Sequence, residues 1–255
     1  MDARSNHGQW LVRMEDVDTP RNVPDAASLI LRTLEEYGFE WDGPVVYQSS
    51  RLEAYQQALE ELQKKGLAFP CACSRKEAGE IYPGTCRTGL KGRPARSWRL
   101  RVDANPILFE DRRSGPQTEV LTETVGDFVL KRADGVFAYQ LAVVVDDGWQ
   151  EITDVVRGAD LSSSTARQIY LQGALGLQQP RYLHLPVVVD QAGDKLSKQT
   201  KAPALPSGEA AVALTLTNAF ALLGHPPPVR FERVCDAWIW IRNAWSGLEV
   251  IPPHA

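Results

Sequence analysis

Trp10-Leu-Val-Arg-Met-Glu-Asp-Val-Asp-Thr-Pro-Arg21 sets how the rest of the chain is read. Through Asp16 it has the apolar content of a buried strand, and Val17 to Arg21 is a turn rich in breakers. Pro24 and Asp25 open a helix with Ala27, Ile30, Leu31 and Leu34 on one face, closed by Gly38. A short strand, Val45 to Gln48, follows. Ser50-Arg-Leu-Glu53 has the pattern of a capping box for a helix that aligns Leu52, Tyr55, Leu59 and Leu62 and stops at Gly66. Strands alternating with amphipathic helices predict a parallel α/β sheet. Upstream, Asp2 to Gly8 reads as the last turn of a helix.

Downstream, the texture changes at Phe69 to Pro, Gly, Cys and Arg until about Val125, which marks residues 69–125 as an inserted module. It divides a core into segments 1–68 and 126–200, with a helical region over 201–255. Asp127 to Arg132, the turn Ala133-Asp-Gly135 and Val136 to Val145 predict a hairpin whose second arm is a buried strand. Glu151 to Gly158 reads as another strand, and the serines and Thr165 of Leu161-Ser-Ser-Ser-Thr165 can cap a helix carrying Ile169, Leu171 and Leu175. Tyr182 to Asp190 is the next strand, delivering Asp194-Lys-Leu-Ser-Lys-Gln-Thr200. Ala210 to Leu223 is a helix, Pro226 to Pro228 breaks it, and an amphipathic segment with Trp238, Trp240, Ile241 and Trp245 ends the pattern.

The 255 residues are 44% hydrophobic and 24% charged, which suits one large or two small globular domains. No run approaches the roughly 18 apolar residues of a membrane helix, and the first residues lack a signal-peptide centre, so a cytoplasmic protein is expected. A net charge of −4 requires any nucleic-acid contact to come from a local basic patch. Arg87, Lys91, Arg93, Arg96, Arg99 and Arg101, with Trp98 among them, form the densest such stretch; it suits a phosphate backbone or simply a solvated loop and strand.

Three clusters can carry chemistry. Lys195, Ser197 and Lys198 sit on a loop at a strand exit, where two cations suit a polyphosphate; the alternative is a solvated basic turn. Cys71, Cys73 and Cys86 supply three thiols near Tyr82, suited to zinc or else reduced bystanders, and no histidine is near enough in sequence to complete four ligands. Glu15, Asp16 and Asp18 end the first strand and Arg157 a later one, positions where ligands bind in open α/β sheets. With Tyr139, a carboxylate, a phenol and a guanidinium could hold an amino acid by its charged groups. Singly, Tyr139 suits core packing, Asp18 a turn, Arg157 a surface ion pair and His184 a structural role.

Together, Trp10 to Arg21, Phe137-Ala-Tyr-Gln-Leu-Ala-Val-Val-Val-Asp-Asp147, Asp154-Val-Val-Arg-Gly-Ala-Asp-Leu161 and Lys195-Leu-Ser-Lys-Gln199 resemble the catalytic core of class I glutamyl-tRNA synthetases, over nearly the whole chain. The likeness is closer still to their short paralogues, the glutamyl-queuosine tRNA(Asp) synthetases, which keep that core and lack the anticodon-binding domains. The resemblance implies a Rossmann-type core and a ligase that makes glutamyl-adenylate from ATP, with Mg²⁺ on the phosphates. The glutamate then passes to the queuosine base in the anticodon loop of tRNA(Asp), and the enzyme is expected to be a monomer.

Carried over, Glu15, Tyr139 and Arg157 match glutamate-binding positions, Glu15 suited to the ammonium and Arg157 to a carboxylate. Lys195 to Gln199 matches the ATP loop, with Lys198 at its phosphate-binding lysine, and Cys71, Cys73, Tyr82 and Cys86 match a zinc site of three thiolates and one tyrosine. One departure stands out. The family's first strand and helix carry a His-x-Gly-His-like motif with an Arg and a Ser, and this sequence matches from the tail of that helix at Met1 to Gly8. Without that segment, adenylate formation is expected to be severely impaired. The competing readings are a catalytically impaired fragment that keeps zinc and tRNA or partner binding, and an α/β nucleotidyltransferase that binds phosphates without glutamate.

Overall fold

The computed structural model of the chain describes residues 1–189 and 204–245. In chain order its elements are α1 (Asp2–Ser5), β1 (Arg13–Met14), α2 (Ala26–Glu36), β2 (Val46–Tyr47), α3 (Leu52–Lys64), β3 (Ala68–Cys71), α4 (Arg75–Ala78), β4 (Ser97–Leu100), β5 (Ile107–Asp111) and β6 (Gly115–Glu119). They continue as α5 (Leu121–Thr124), β7 (Val129–Lys131), α6 (Tyr139–Trp149), β8 (Asp154–Gly158), α7 (Thr165–Leu175), β9 (Arg181–Leu185), α8 (Glu209–Leu222) and α9 (Val234–Ala244). Among the described residues no helix is long and apolar enough to cross a membrane.

The fold is α/β, but the expected parallel sheet is corrected to mixed sheets. The described strands pair as β1-β2, β3-β4-β7 and β6-β5-β9-β8. β4 runs antiparallel to β3 and β7, β5 and β6 form an antiparallel hairpin, and β5 meets β9 in parallel. The hairpin follows from its turn. The Asp111 carboxylate accepts the backbone N–H groups of Arg113 and Ser114 at 3.1 and 2.8 Å, folding the chain back over too few residues for a parallel crossover.

A second correction concerns Val136 to Val145, expected as a strand: from Tyr139 it is the helix α6. Gln140 to Val144 are five consecutive buried residues, so the helix has no polar stripe there to reveal its period. A third concerns the capping box. The Ser50 hydroxyl donates to the Tyr47 carbonyl at 2.7 Å, and Arg51 precedes α3 without a side-chain cap.

The chain divides into two compact units. One comprises Glu15–Arg21 and Tyr47–His184. Its core packs Tyr55, Leu59 and Leu62 of α3 with Leu100, Leu130, Leu141, Val144 and Leu171. Set into this apolar surround is the fully buried Asp146. Its carboxylate accepts from Gln48 Nε2 at 3.0 Å, Arg51 Nε at 2.6 Å and the Tyr55 hydroxyl at 2.7 Å, while the Arg51 guanidinium lies 3.7 Å over the Trp149 ring. These bonds join α3, its preceding turn and α6. Asp146→Ala strands all three donors and is expected to lower the unfolding free energy by about 3 kcal/mol. A urea midpoint that moves by less than the equivalent of about 1 kcal/mol would show that the network is not holding the two helices.

The other unit comprises Met1–Met14, Asn22–Val46 and Leu185–Ala255. Tyr37, Val212, Leu216, Phe220 and Ile241 form its core. Here Gly38 is a requirement: its φ is +72°, and a Cβ would meet the Trp238 indole nitrogen at 2.8 Å. That indole N–H instead donates to the Tyr37 carbonyl at 2.8 Å, tying α9 to the end of α2.

Candidate active site and metal centre

The first constellation is built in the four-stranded sheet and the helices behind it. β8 presents Arg157, and three neighbours hold its guanidinium. Nε donates to His184 Nε2 at 3.1 Å, Nη1 to Gln168 Oε1 at 2.7 Å and Nη2 to Thr165 Oγ1 at 2.8 Å. The Tyr182 ring lies 5.4 Å from the guanidinium carbon. A guanidinium has five N–H bonds. Three are engaged among the described residues.

Behind Arg157 the order is enforced one step further. His184 and Asp111 are both buried, with His184 Nδ1 2.7 Å from Asp111 Oδ2. Because Nε2 accepts from Arg157, His184 must be neutral and carry its proton on Nδ1, donating to Asp111. That carboxyl sits below its ordinary range: burial pushes it up, and the Ser114 amide, His184 and the Arg113 amide outweigh burial. His184 is therefore engaged at both ring nitrogens and at its backbone N–H, as a structural histidine is.

Tyr139 opens α6 in the same unit. Burial raises its pKa most, the charge of Glu15 adds to that, and Arg157 and Gln168 oppose it. Tyr139 thus lies within electrostatic reach of both Glu15 and Arg157. The neighbouring acids serve the fold. Asp16 accepts from the Ser49 amide at 2.8 Å and its hydroxyl at 2.6 Å, and Asp18 pairs with Arg132 at 2.6 Å. Lys195, Ser197 and Lys198 lie outside the described residues.

Sequence reasoning missed Gln168 and took Thr165 for a helix cap, whereas α7 starts at Thr165 with no side-chain cap and the Thr165 hydroxyl accepts from Arg157; a signal for both exists. Thr165, Gln168 and Gln172 follow one another at i, i+3 and i+7 on α7, and all three are buried. A polar stripe at helical spacing on a core-facing side needs partners, and Arg157 and the Tyr182 hydroxyl are those partners.

The second constellation is the cysteine cluster. Cys71 ends β3, where it pairs with Ser97 of β4, and Cys73 follows two residues on. Ser74 and Glu77 form a capping box that turns the chain through α4, with Ser74 N–H to Glu77 at 2.7 Å and Glu77 N–H to Ser74 Oγ at 3.3 Å. Tyr82 is then pinned by backbone pairing to Gly126. A Cβ at Gly126 would lie 2.3 Å from the Tyr82 carbonyl oxygen, and φ there is +69°, so only glycine allows this approach.

The three Sγ atoms lie within 4.8 Å of one another and all are buried. Cys73 and Cys86 sulfurs are 3.6 Å apart, and the Tyr82 hydroxyl lies 3.4 Å from Cys71 Sγ and 3.8 Å from Cys73 Sγ. Arg99, itself buried, donates Nε–H to Cys71 Sγ at 3.3 Å and stacks its guanidinium 4.0 Å over the Tyr82 ring. Burial pushes the Cys71 thiol up, but Tyr82, the Cys73 amide and Arg99 outweigh it and bring it down to about 7. Burial and the neighbouring sulfurs drive Cys73 up to about 11, against a lowering by Tyr82.

The basic stretch is largely consumed by this module. Arg87 pairs with the buried Asp127, Arg93 with Glu77 at 2.9 Å, and Arg99 with the cluster, while Lys91 and Arg96 are exposed.

Residues 1–235 match the family of class I tRNA synthetases (E and Q), catalytic domain. The chain is 56% identical to the glutamyl-Q tRNA(Asp) synthetase of Dechloromonas aromatica, over 96% of this chain and 86% of that protein. It is 52% identical to that of Aromatoleum aromaticum, over 98% and 82%. Among solved structures, a glutamate tRNA ligase from Elizabethkingia meningosepticum, in complex with its amino acid, superposes with a TM-score of 0.69 at 26% identity. The match covers 82% of this chain and 49% of that one, so this chain spans about half the length of that ligase. The glutamate-tRNA synthetase of Elizabethkingia anophelis shares the fold with a TM-score of 0.74 at 24% identity, covering 92% and 59%. By the extent and identity of these matches, the chain belongs to the class I tRNA synthetases of the E and Q type and, among them, to the glutamyl-Q tRNA(Asp) synthetase family.

Proposed function

We propose that this protein is a ligase that activates glutamate with ATP and transfers it to the queuosine base in the anticodon loop of tRNA(Asp). The observation that carries the reading is the Arg157 guanidinium, held by His184, Gln168 and Thr165, with its charge and that of Glu15 both acting on Tyr139. Arg157 pairs with a substrate carboxylate, Tyr139 donates its hydroxyl, and Glu15 neutralises the ammonium. The protein's contribution is then positional: it sets the glutamate carboxylate in line with the ATP α-phosphate. Lys195, Ser197 and Lys198 supply the phosphate contacts, with Lys198 at the developing charge and Mg²⁺ shared by the phosphates.

Zinc belongs to the same proposal. Tetrahedral zinc, with bonds of about 2.3 Å to sulfur and 2.0 Å to oxygen, places sulfurs about 3.8 Å apart and a sulfur about 3.5 Å from an oxygen. The separations of 3.6 Å between sulfurs and 3.4 and 3.8 Å from sulfur to the Tyr82 oxygen fit that donor set. Cys71, Cys73, Tyr82 and Cys86 would hold the ion, which supplies a rigid cross-link and no catalytic step.

Incubation with labelled glutamate, ATP and tRNA(Asp) tests the reading. Label is expected on tRNA that carries queuosine and to be absent from tRNA with guanosine at that position. Equal labelling of both, or labelling only at the 3′ end, overturns it.

A further inference from the structure

Arg99 lies on β4, the middle strand of β3-β4-β7, opposite Phe69 and one step along the same face from Cys71. Pairing on both sides fixes its backbone, and only 9% of the residue is exposed. Its contacts are few. Nη1 donates to the Asp127 carbonyl at 2.6 Å and Nε to Cys71 Sγ at 3.3 Å, and the guanidinium lies 4.0 Å over the Tyr82 ring. Arg87 has the Asp127 carboxylate and Arg93 has Glu77, but among the described residues no carboxylate pairs with Arg99.

A buried guanidinium left without an anion is strongly destabilising, so its retention calls for one. The cluster it touches can supply it. Neutral thiols and a neutral phenol are only weak acceptors, whereas a divalent ion bound by three thiolates and a phenolate is left with two excess negative charges, here among buried side chains. Arg99 offsets one of them. Its Nε–H makes a charge-assisted bond to one sulfur, and its flat face covers the ring of the oxygen donor. One side chain thus touches two of the four candidate donors. A sulfur lone pair committed to that N–H is also withheld from electrophiles, which attack thiolates.

We propose that Arg99 is a positioning residue of the metal centre: its guanidinium is the centre's built-in counter-charge, and its bond to Cys71 shields that sulfur from attack. The inference rests on the reading of Cys71, Cys73, Tyr82 and Cys86 as a zinc site.

The test compares the wild type with Arg99→Met, Arg99→Lys and Arg93→Met. Zinc affinity is read by competition with a chelator of known affinity, the centre by its cobalt spectrum, and shielding by the rate at which N-ethylmaleimide releases zinc. Arg93→Met is the control, since it removes a cation of the same module that bonds the Ala72 carbonyl and Glu77 and none of the four donors. In Arg99→Met zinc affinity should fall about tenfold to a hundredfold. The thiolate-to-cobalt band should move to longer wavelength, because the sulfur lone pair loses the bond that lowered its energy, and maleimide should release zinc faster. Arg99→Lys keeps the charge without the directed Nε–H or the planar stack. It should regain part of the affinity while the band stays shifted, and it carries the test if the first variant does not fold. A merely structural role would lower thermal stability with band and release rate unmoved, or moved no more than in Arg93→Met. Either result overturns the inference alone, as does a zinc affinity of Arg99→Met within about threefold of the wild type. A wild type that takes up neither zinc nor cobalt overturns the zinc reading itself.

Discussion

Arg157→Met is expected to weaken glutamate binding by about 3 kcal/mol, roughly a hundredfold, and to reduce glutamate-dependent ATP–pyrophosphate exchange at least as much. The estimate comes from what the guanidinium does twice over. Toward the ligand it supplies two N–H bonds to a carboxylate, a charge-assisted pair whose truncation leaves the carboxylate against burial and a phenol. Toward the protein it is the shared donor of His184, Gln168 and Thr165, so its loss strands three buried acceptors within 3.1 Å of its nitrogens.

Arg157→Lys restores the charge and discriminates between these contributions. A single ammonium cannot reach three partners in one plane and still offer two bonds outward. The lysine variant should recover part of the thermal stability but little of the affinity. ATP affinity, measured separately, should hold, because on the proposed reading the substitution removes a contact to the amino acid and none to the phosphates. A glutamate Kd within threefold of the wild type in Arg157→Met would remove Arg157 from the site.

How far this site was legible in the sequence depends on the kind of interaction. Glu15 and Arg157 stood out as candidates because charged residues at strand ends contrast with apolar neighbours. Gln168 did not, because its partner is the Arg157 donor, eleven positions away on a different element. Tyr139 was singled out in the sequence but placed on the wrong element. The apolar run through Val145 has a strand's composition, and only burial on every side made it α6. The sheet erred for a related reason. Alternation of strands and helices implies parallel pairing only when the crossovers are long, and the Asp111 turn shows one that is not. The cysteine spacing gave three ligands without the fourth, since Tyr82 joins the cluster through its pairing with Gly126, a contact spanning 44 positions that no local pattern encodes.

On the proposed zinc reading, stripping the metal is expected to unfold the cysteine module while leaving the α3 and α6 core in place. The module has little else to hold it: its buried apolar cluster is Phe69, Cys71, Ala72, Cys73, Ala78, Tyr82 and Cys86, three of them thiols and two alanines. Such a core cannot offset the conformational entropy of the loops around it without a cross-link. Structural zinc binds with about 10–16 kcal/mol over four ligands, so one ligand is worth about 3 kcal/mol, near a hundredfold in affinity. Cys86→Ser should lose that much, read by competition with a chelator of known affinity. Tyr82→Phe should lose less, because the phenol oxygen is the ligand that must shed a proton held well above the usual tyrosine range by burial and the adjoining sulfurs. Since every thiol must give up its proton to the metal, affinity falls as pH falls. Purified protein should carry one equivalent of zinc, and cobalt in its place should show the thiolate charge-transfer absorption that Cys86→Ser weakens and Tyr82→Phe largely keeps. Three freely titratable thiols in native protein, with less than about a fifth of an equivalent of metal, would make Cys71, Cys73 and Cys86 a plain buried cluster and leave the module's stability to Arg99, Arg87 and Asp127.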